Sequence, residues 1–206
     1  MEWKSAFLLL GALYPEQFIN SPVAKWRMSK PHQRVVAAGL GFATPASLVT
    51  SSRSEAITFA ERQGSMIVKS LAGQRVRFKE QSGVEDQVIM TMSCEPTEVR
   101  DAADTDIAAA PHFFQKRIIK DHEVRVFAHR GACFAFQITS QSYPYTQVDW
   151  RYGSGFLDFQ PCDTPPAIME RIDCFLAAFG LFYGSFDFIV DSQGAWWFLE
   201  CNEDGQ

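Results

Sequence analysis

The run FDFIVDSQGAWWFLECN, residues 186–202, constrains this chain more than any other stretch. Two apolar, β-prone segments flank the turn signal Gln193-Gly194, which predicts an antiparallel hairpin. With a two-residue turn there, Asp187 falls opposite Glu200. Side chains alternate between faces along a strand, so Asn202 shares the face of Glu200. Phe188, Val190, Trp197, Leu199 and Cys201 then make an entirely apolar opposite face. A three-residue turn would set Asp187 against Leu199 and mix the two faces, so the pattern favours the shorter turn. Two carboxylates on neighbouring strands repel unless positive charge lies between them. Two anionic oxygens and an amide oxygen, with no nitrogen or sulfur donor, suit a hard cation. Magnesium fits best, with phosphate oxygens and water completing its octahedron. The same residues also suit a solvated strand end, or a pair in which one carboxyl stays protonated beside the other.

The 206 residues suffice for one substantial domain or for two small lobes. A hydrophobic share of 47% against 21% charged argues against disorder. No apolar stretch approaches the roughly 20 residues of a membrane span. The net charge of -5 supplies no general attraction to nucleic acid or to an anionic membrane, and neither is expected as a partner. The opening MEWKSAFLLLGALYPEQF has the apolar run of a signal peptide, but it carries Glu2 and Lys4 and lacks a small-residue cleavage site. It is expected to be an amphipathic helix, and the protein to be cytoplasmic. The five cysteines are odd in number, scattered and without a CxxC pair, which points to buried reduced thiols rather than zinc or redox chemistry.

Along the chain, residues 2–13 read as helix, interrupted by Tyr14-Pro15. Ser29-Lys30-Pro31 opens a second helix that ends at Gly39 or Gly41, and Ser54 caps a third through Arg62, stopped by Gly64. Strands are expected at Ala46–Val49, Met66–Leu71, Gln87–Met92, Phe113–Ile119, Val124–Ala128 and Cys133–Thr139, with weak helix at Glu98–Ala109. Thr164-Pro165-Pro166 starts a helix whose apolar face is Ile168, Met169, Ile172, Phe175, Leu176 and Phe179, ending at Gly180. Hairpins outnumber βαβ crossovers, so the class is α+β with mainly antiparallel sheet.

Several of these segments carry a family resemblance. LFYGSFDFIVDSQGAWWFLECNEDGQ (181–206) resembles the closing segment of ATP-grasp ligases, in which an Asp precedes a hairpin and a Leu-Glu-x-Asn follows it. The FLE-x-N-x-x-GQ ending is similar to that of the RimK-like enzymes that cyclise ribosomally made peptides, the microviridin or graspetide synthetases. INSPVAKWRMSKPHQRVVAAGLGFATPASLVTSS (19–52) resembles their Asn-x-Pro, Lys-Pro and Gly-Phe-x-x-Pro segment. FFQKRIIKDHEVRVFAHRGACFAFQITSQ (113–141) resembles their adenine-hinge strand and hairpin, and VDWR (148–151) a further motif. The resemblance implies an ATP-grasp fold of two α+β lobes with mainly antiparallel sheets sandwiching ATP. It divides the chain into an N-terminal helical segment (1–20), a small lobe with linker (21–112) and a large lobe (113–206) carrying the hinge and metal site.

Carried over residue by residue, the resemblance gives Asp187, Glu200 and Asn202 to magnesium, and Lys30 and Lys69 to the nucleotide phosphates. Gln115, Lys116, Arg117, Ile118 and Ile119 become the hinge whose backbone meets adenine. Glu123 accepts from the ribose hydroxyls, or else pairs with Arg125 or Lys120. Arg125 and Arg151 face the γ-phosphate or the acyl phosphate, a task suited to the guanidinium fork, or lie at the surface. The four histidines have no metal-ligand spacing, and the single glycines of SLAGQ and EQSGVED do not make a Walker-type loop. The family usually has Gln-Glu at the hinge where this chain has Gln115-Lys116. Relatives also carry an N-terminal domain of about a hundred residues, a typical domain size, which is expected to be absent here. They continue past Gly205-Gln206 with a tryptophan and a last helix. The implied activity is ADP-forming: a side-chain carboxylate is activated as an acyl phosphate and captured by a hydroxyl or amine. The substrate is a precursor peptide or small carboxylate, and the enzyme is open to homodimer formation. A RimK-type amino-acid ligase and a nucleotide-binding module without full activity are the alternatives.

Overall fold

The structure is a computed structural model that describes residues 2–71, 75–80, 83–88, 91–153 and 155–205, with 75–80 and 83–88 described by their backbone. Helices α1 (Glu2–Leu13), α2 (Pro22–Trp26) and α3 (Lys30–Gly39) come first. They are followed by β1 (Ser47–Thr50), α4 (Arg53–Gln63), β2 (Met66–Lys69), β3 (Arg75–Glu80), β4 (Gly83–Val88) and β5 (Met92–Cys94). Next come the short helices α5 (Pro96–Asp101) and α6 (Asp104–Ala108) and strand β6 (His112–Lys116). The chain closes with β7 (His122–His129), β8 (Ala132–Ile138), β9 (Phe159–Cys162), α7 (Pro166–Phe179), β10 (Tyr183–Val190) and β11 (Trp196–Asn202). The α+β class and the antiparallel pairing expected from the sequence are present. Residues 89 and 90, inside the strand expected at Gln87–Met92, lie outside the described residues.

The chain forms two units, one of residues 1–44, 119–141 and 155–206, the other of 45–118 and 142–154. The first is built on a five-stranded sheet in the order β11-β10-β7-β8-β9. Val124, Val126 and Ala128 of β7 and Phe186, Phe188 and Val190 of β10 point to one face, where they pack with Ile172, Phe175, Leu176 and Phe179 of α7. Paired prolines start α7, and Gly180 ends it in the left-handed conformation (φ 69°), which a side chain would strain. Ala37 and Phe42, from α3 and the loop after it, complete the same core.

The second unit has a four-stranded sheet in the order β1-β6-β2-β5 and a separate β3–β4 hairpin. Met66 and Phe114 pack with Ala56, Phe59 and Ala60 of α4, and with Val99 and Ile107. The cap of α4 is Ser52 rather than the expected Ser54: the Ser52 hydroxyl accepts from the Glu55 N–H at 3.4 Å. Extended backbone at Ser52 places its oxygen over the orphan donors of the first turn, while Ser54 already lies inside the helix. Among the described residues no helix is long and apolar enough to cross a membrane.

Candidate functional site

The closing hairpin departs from its expected geometry twice, and the two departures cancel where it matters. The turn is three residues long, not two. Asp191 and Ala195 close it, with the Asp191 N–H donating to the Ala195 carbonyl at 3.1 Å, and Gly194 takes φ 79°. The Asp191 carboxylate accepts from the Gln193 and Ala195 N–H groups and from the Trp197 indole, which holds it below the usual carboxylate range. Val190 therefore faces Trp196, and Phe188 faces Phe198. The pairing then shifts by one residue between Asp187 and Phe188, leaving Leu199 as the extra residue of a β-bulge. Beyond it Asp187 faces Glu200, as the sequence predicts, and Ser185 faces Asn202. The expected apolar face is corrected accordingly. Trp196 and Phe198 pack toward the core in place of Trp197 and Leu199, because the longer turn reverses the alternation up to the bulge.

On the face of this sheet away from the core, Asp187 lies across from Arg125 of β7 and from Glu200 of β11. Arg125 forks onto Asp187, Nε to Oδ1 at 2.8 Å and Nη2 to Oδ2 at 3.0 Å, with both residues buried. The Asn202 amide nitrogen donates to Asp187 Oδ2 at 3.5 Å. Lys30, at the start of α3, brings its Nζ within 3.6 Å of Glu200 Oε2. Glu123, one step along β7 on the same face, is buried and accepts from Lys120 and Ser140. Burial pushes the Glu123 carboxyl above its ordinary 4.5, against the opposing pull of the Lys120 ammonium. Of the two pairings the sequence allows for Glu123, the one with Lys120 is present, and it is buried rather than on the surface.

Cys201, between Glu200 and Asn202, points to the core. Burial first, then the carboxylates of Glu203, Asp187 and Glu200, push its thiol well above the ordinary 9.0. Among the described residues no three His, Cys, Asp or Glu side chains cluster as a metal site, so the candidate set is two carboxylates and an amide. That all-oxygen set fits a hard divalent cation, and Arg125 and Lys30 lie beside its two carboxylates.

The remaining candidates belong to the second unit, apart from Ile119, which is exposed at the start of a first-unit segment. Gln115 and Lys69 share the face of the four-stranded sheet that carries Phe113, Gln115 facing Ile67 and Lys69 facing Phe113. Gln115 is 1% exposed, yet among the described residues neither atom of its amide has a hydrogen-bond partner. The Lys116 N–H donates to the Ala46 carbonyl at 2.8 Å and the Arg117 N–H to the Ser65 carbonyl at 3.0 Å, and Ile118 is half-buried. Arg151 forks onto Asp149, Nε to Oδ1 at 2.8 Å and Nη2 to Oδ2 at 2.5 Å, and its Nη2 donates to Thr91 Oγ1 at 3.4 Å. Burial raises the Asp149 carboxyl, but the Arg151 hydrogen bonds and charge outweigh it and hold the group below its ordinary 3.8.

Three side chains that shape these sites escape a reading of residue types. Asp149 lies inside the VDWR motif and orients Arg151. Asn20, of the Asn-x-Pro motif, accepts from the Phe182 N–H at 2.8 Å and donates to the carbonyls of Tyr183 and Glu203 at 3.0 and 2.6 Å, tying the ends of β10 and β11 together. Gln33 grips the backbone of Cys201. The motif signalled Asn20, whereas a helical glutamine carries no signal of its own.

No protein-family model and no curated protein matches this chain. Solved structures do. A RiPP-associated ATP-grasp ligase of Chryseobacterium gregarium, in complex with ADP and a leader and core peptide, is similar at 27% identity and a TM-score of 0.82, covering 91% of this chain and 56% of that one. The macrocyclase MdnC of Microcystis aeruginosa, bound with precursor peptide MdnA, is similar at 28% identity and a TM-score of 0.70, covering 86% of this chain and 54% of that one. D-cycloserine synthetase DcsG, at 14% identity and a TM-score of 0.62, shares the fold over 100% of this chain. The chain thus spans about half the length of the first two. With its five-stranded and four-stranded antiparallel sheets and these neighbours, the chain has the ATP-grasp fold and is similar to the RiPP-associated ligases.

Proposed function

We propose that this chain is the nucleotide- and metal-binding part of an ADP-forming carboxylate ligase that macrocyclises a ribosomally made precursor peptide. The observation that carries the proposal is the cross-strand pair Asp187–Glu200 with Asn202 beside it, an all-oxygen set flanked by Arg125 and Lys30. Asp187, Glu200 and Asn202 would hold magnesium, which neutralises phosphate charge when bound. Lys30 and Lys69 meet the nucleotide phosphates as point charges. Backbone groups of residues 115–119 bind adenine, and Glu123 takes the ribose hydroxyls. Arg125 and Arg151 stabilise charge on the transferring phosphoryl group.

A substrate Asp or Glu carboxylate attacks the γ-phosphorus, and the bond to the ADP oxygen breaks. A hydroxyl or amine of the same peptide then attacks the acyl phosphate carbon, losing its proton and expelling inorganic phosphate. The peptide loses one water, and the product is an ester or amide ring. Catalysis is positioning and charge stabilisation. Support for the peptide substrate comes from the peptide-bound neighbours, and support for the microviridin-type branch from the FLE-x-N-x-x-GQ ending. Five free cysteines among the described residues suit a reducing cytoplasm. The exposed apolar residues of α1, with Trp3 at 89%, suit a homodimer, which light scattering would read directly.

Incubation with ATP, magnesium and a candidate acidic precursor peptide is expected to give a peptide lighter by one water, together with ADP. Release of AMP contradicts the mechanism, and a mass gain of whole residues selects amino-acid ligation instead.

A further inference from the structure

β11 is the outermost strand of its sheet, so among the described residues one edge of its backbone pairs with no named strand. Buried N–H and C=O groups on such an edge need partners from elsewhere. Near the turn end, the Phe198 N–H finds the Ala43 carbonyl at 2.8 Å. At Cys201 a single side chain serves both groups. Gln33 Oε1 accepts from the Cys201 N–H at 2.7 Å, and Gln33 Nε2 donates to the Cys201 carbonyl at 3.1 Å. The same nitrogen donates to the Met28 carbonyl at 2.9 Å, which fixes the amide's orientation. Gln33 and Cys201 are 3% and 1% exposed, so water does not compete for these bonds.

The opposite side of Cys201 is equally confined. Its Sγ lies 2.5 Å from where a Cβ on Gly184 would stand, so the thiol fills the space that this glycine leaves. Backbone and side chain of Cys201 are therefore both held, and its two sequence neighbours are Glu200 and Asn202. One turn before Gln33 on α3 sits Lys30, the cation beside Glu200. A single helix thus presents both a charge to Glu200 and an amide to the residue next to it.

We infer that Gln33 is a positioning residue for the metal set: by gripping Cys201 it holds Glu200 and Asn202 on the face of Asp187. This rests on the metal assignment proposed above. Partners one step removed from a metal's ligands typically change affinity by about 10–100-fold when lost. Gln33→Leu keeps the bulk and removes the grip.

Two measurements on the full chain decide the matter. In the metal-free protein, amide hydrogen exchange at Cys201 is expected to speed up about tenfold in Gln33→Leu, the scale of one hydrogen bond. Mn²⁺ uptake in the presence of ADP, followed by electron paramagnetic resonance, is expected to weaken about 10–100-fold. Faster exchange with unchanged Mn²⁺ affinity overturns the inference, whatever happens to the melting temperature. So does weakened affinity with unchanged exchange, since the effect would then bypass Cys201. Asp187→Asn tests the metal assignment separately: unchanged Mn²⁺ uptake in that variant refutes the assignment while the exchange rate still reports on the grip. Should Gln33→Leu fold poorly, Gln33→Glu keeps the acceptor for the Cys201 N–H and removes both donated bonds. An affinity below that of the parent supports the inference, and parental affinity overturns it.

Discussion

The candidate groups of the two units are held in opposite ways. In the first unit the three candidate carboxylates each sit beside a cation: Asp187 with Arg125, Glu200 with Lys30, and Glu123 with Lys120. In the second unit the buried Gln115 amide has no hydrogen-bond partner among the described residues, and the candidate cation Arg151 is held by a carboxylate, Asp149. A ligand arriving at the first set must share or displace resident charges. A ligand arriving at Gln115 would satisfy groups that no described residue satisfies. The first arrangement keeps like charges compatible in the absence of a metal, and the second stores an unmet hydrogen-bonding demand.

The largest effect should come from breaking the first arrangement. Asp187→Ala strands the buried Arg125 guanidinium and is expected to cost about 3–5 kcal/mol in urea unfolding. Asp187→Asn retains a hydrogen-bonding partner and should cost less, while on the metal assignment proposed above both should lose metal-dependent turnover. Equal stability of the two variants would mean that Arg125 does not need its partner. The second arrangement predicts the reverse sign. Gln115→Met should stabilise the ligand-free chain by about 1–3 kcal/mol, because it removes two buried polar atoms that lack partners among the described residues. The rise in melting temperature on adding ATP should shrink in parallel, and a destabilised Gln115→Met would show that the amide is already satisfied.

A smaller effect separates hairpin geometry from charge. Gly194→Ala places a side chain at φ 79° and should cost about 1–2 kcal/mol, leaving Mn²⁺ uptake unchanged because the turn lies on the far side of the bulge. The subtlest contrast is one of sign. Asp149 has a depressed pKa, so its contribution is present above the ordinary 3.8 and is lost as pH falls through its lower folded value. Glu123 has a raised pKa, so the stabilisation of its protonated form is present below 4.5 and is lost as pH rises toward its folded value. Asp149→Asn should flatten the acid limb of the stability curve, and Glu123→Gln the slope just above pH 4.5. Matching slopes in the two variants would erase the distinction between the units.

Much of this was legible in the sequence, and the gaps have physical causes. The helix Pro166–Phe179 followed from its paired prolines, apolar period and terminal glycine, which are all local signals. The Asp187–Glu200 pairing followed from alternation, although by way of a turn one residue too short and a bulge left out. Those two errors cancelled because each shifts the register by one residue. The forks of Arg125 on Asp187 and of Arg151 on Asp149 were not legible. A guanidinium placed for a phosphate and one placed for a carboxylate have the same sequence signature. Gln33 was invisible for a further reason: its role depends on β11 being an edge strand, a property of the whole sheet order.

The bulge at Leu199 has a consequence for how Glu200 and Asn202 are aimed. A bulge adds local twist to the strand that carries it. The last three residues of β11 are therefore rotated relative to the part that packs against Phe188, while each keeps its partner on β10. Pairing and direction are thus set by different devices, the ladder for the one and the extra residue for the other. Deleting Leu199 would leave every cross-strand partner in place and turn the two oxygen-bearing side chains away from their present direction. A hairpin of this kind can change where its side chains point without changing what they face.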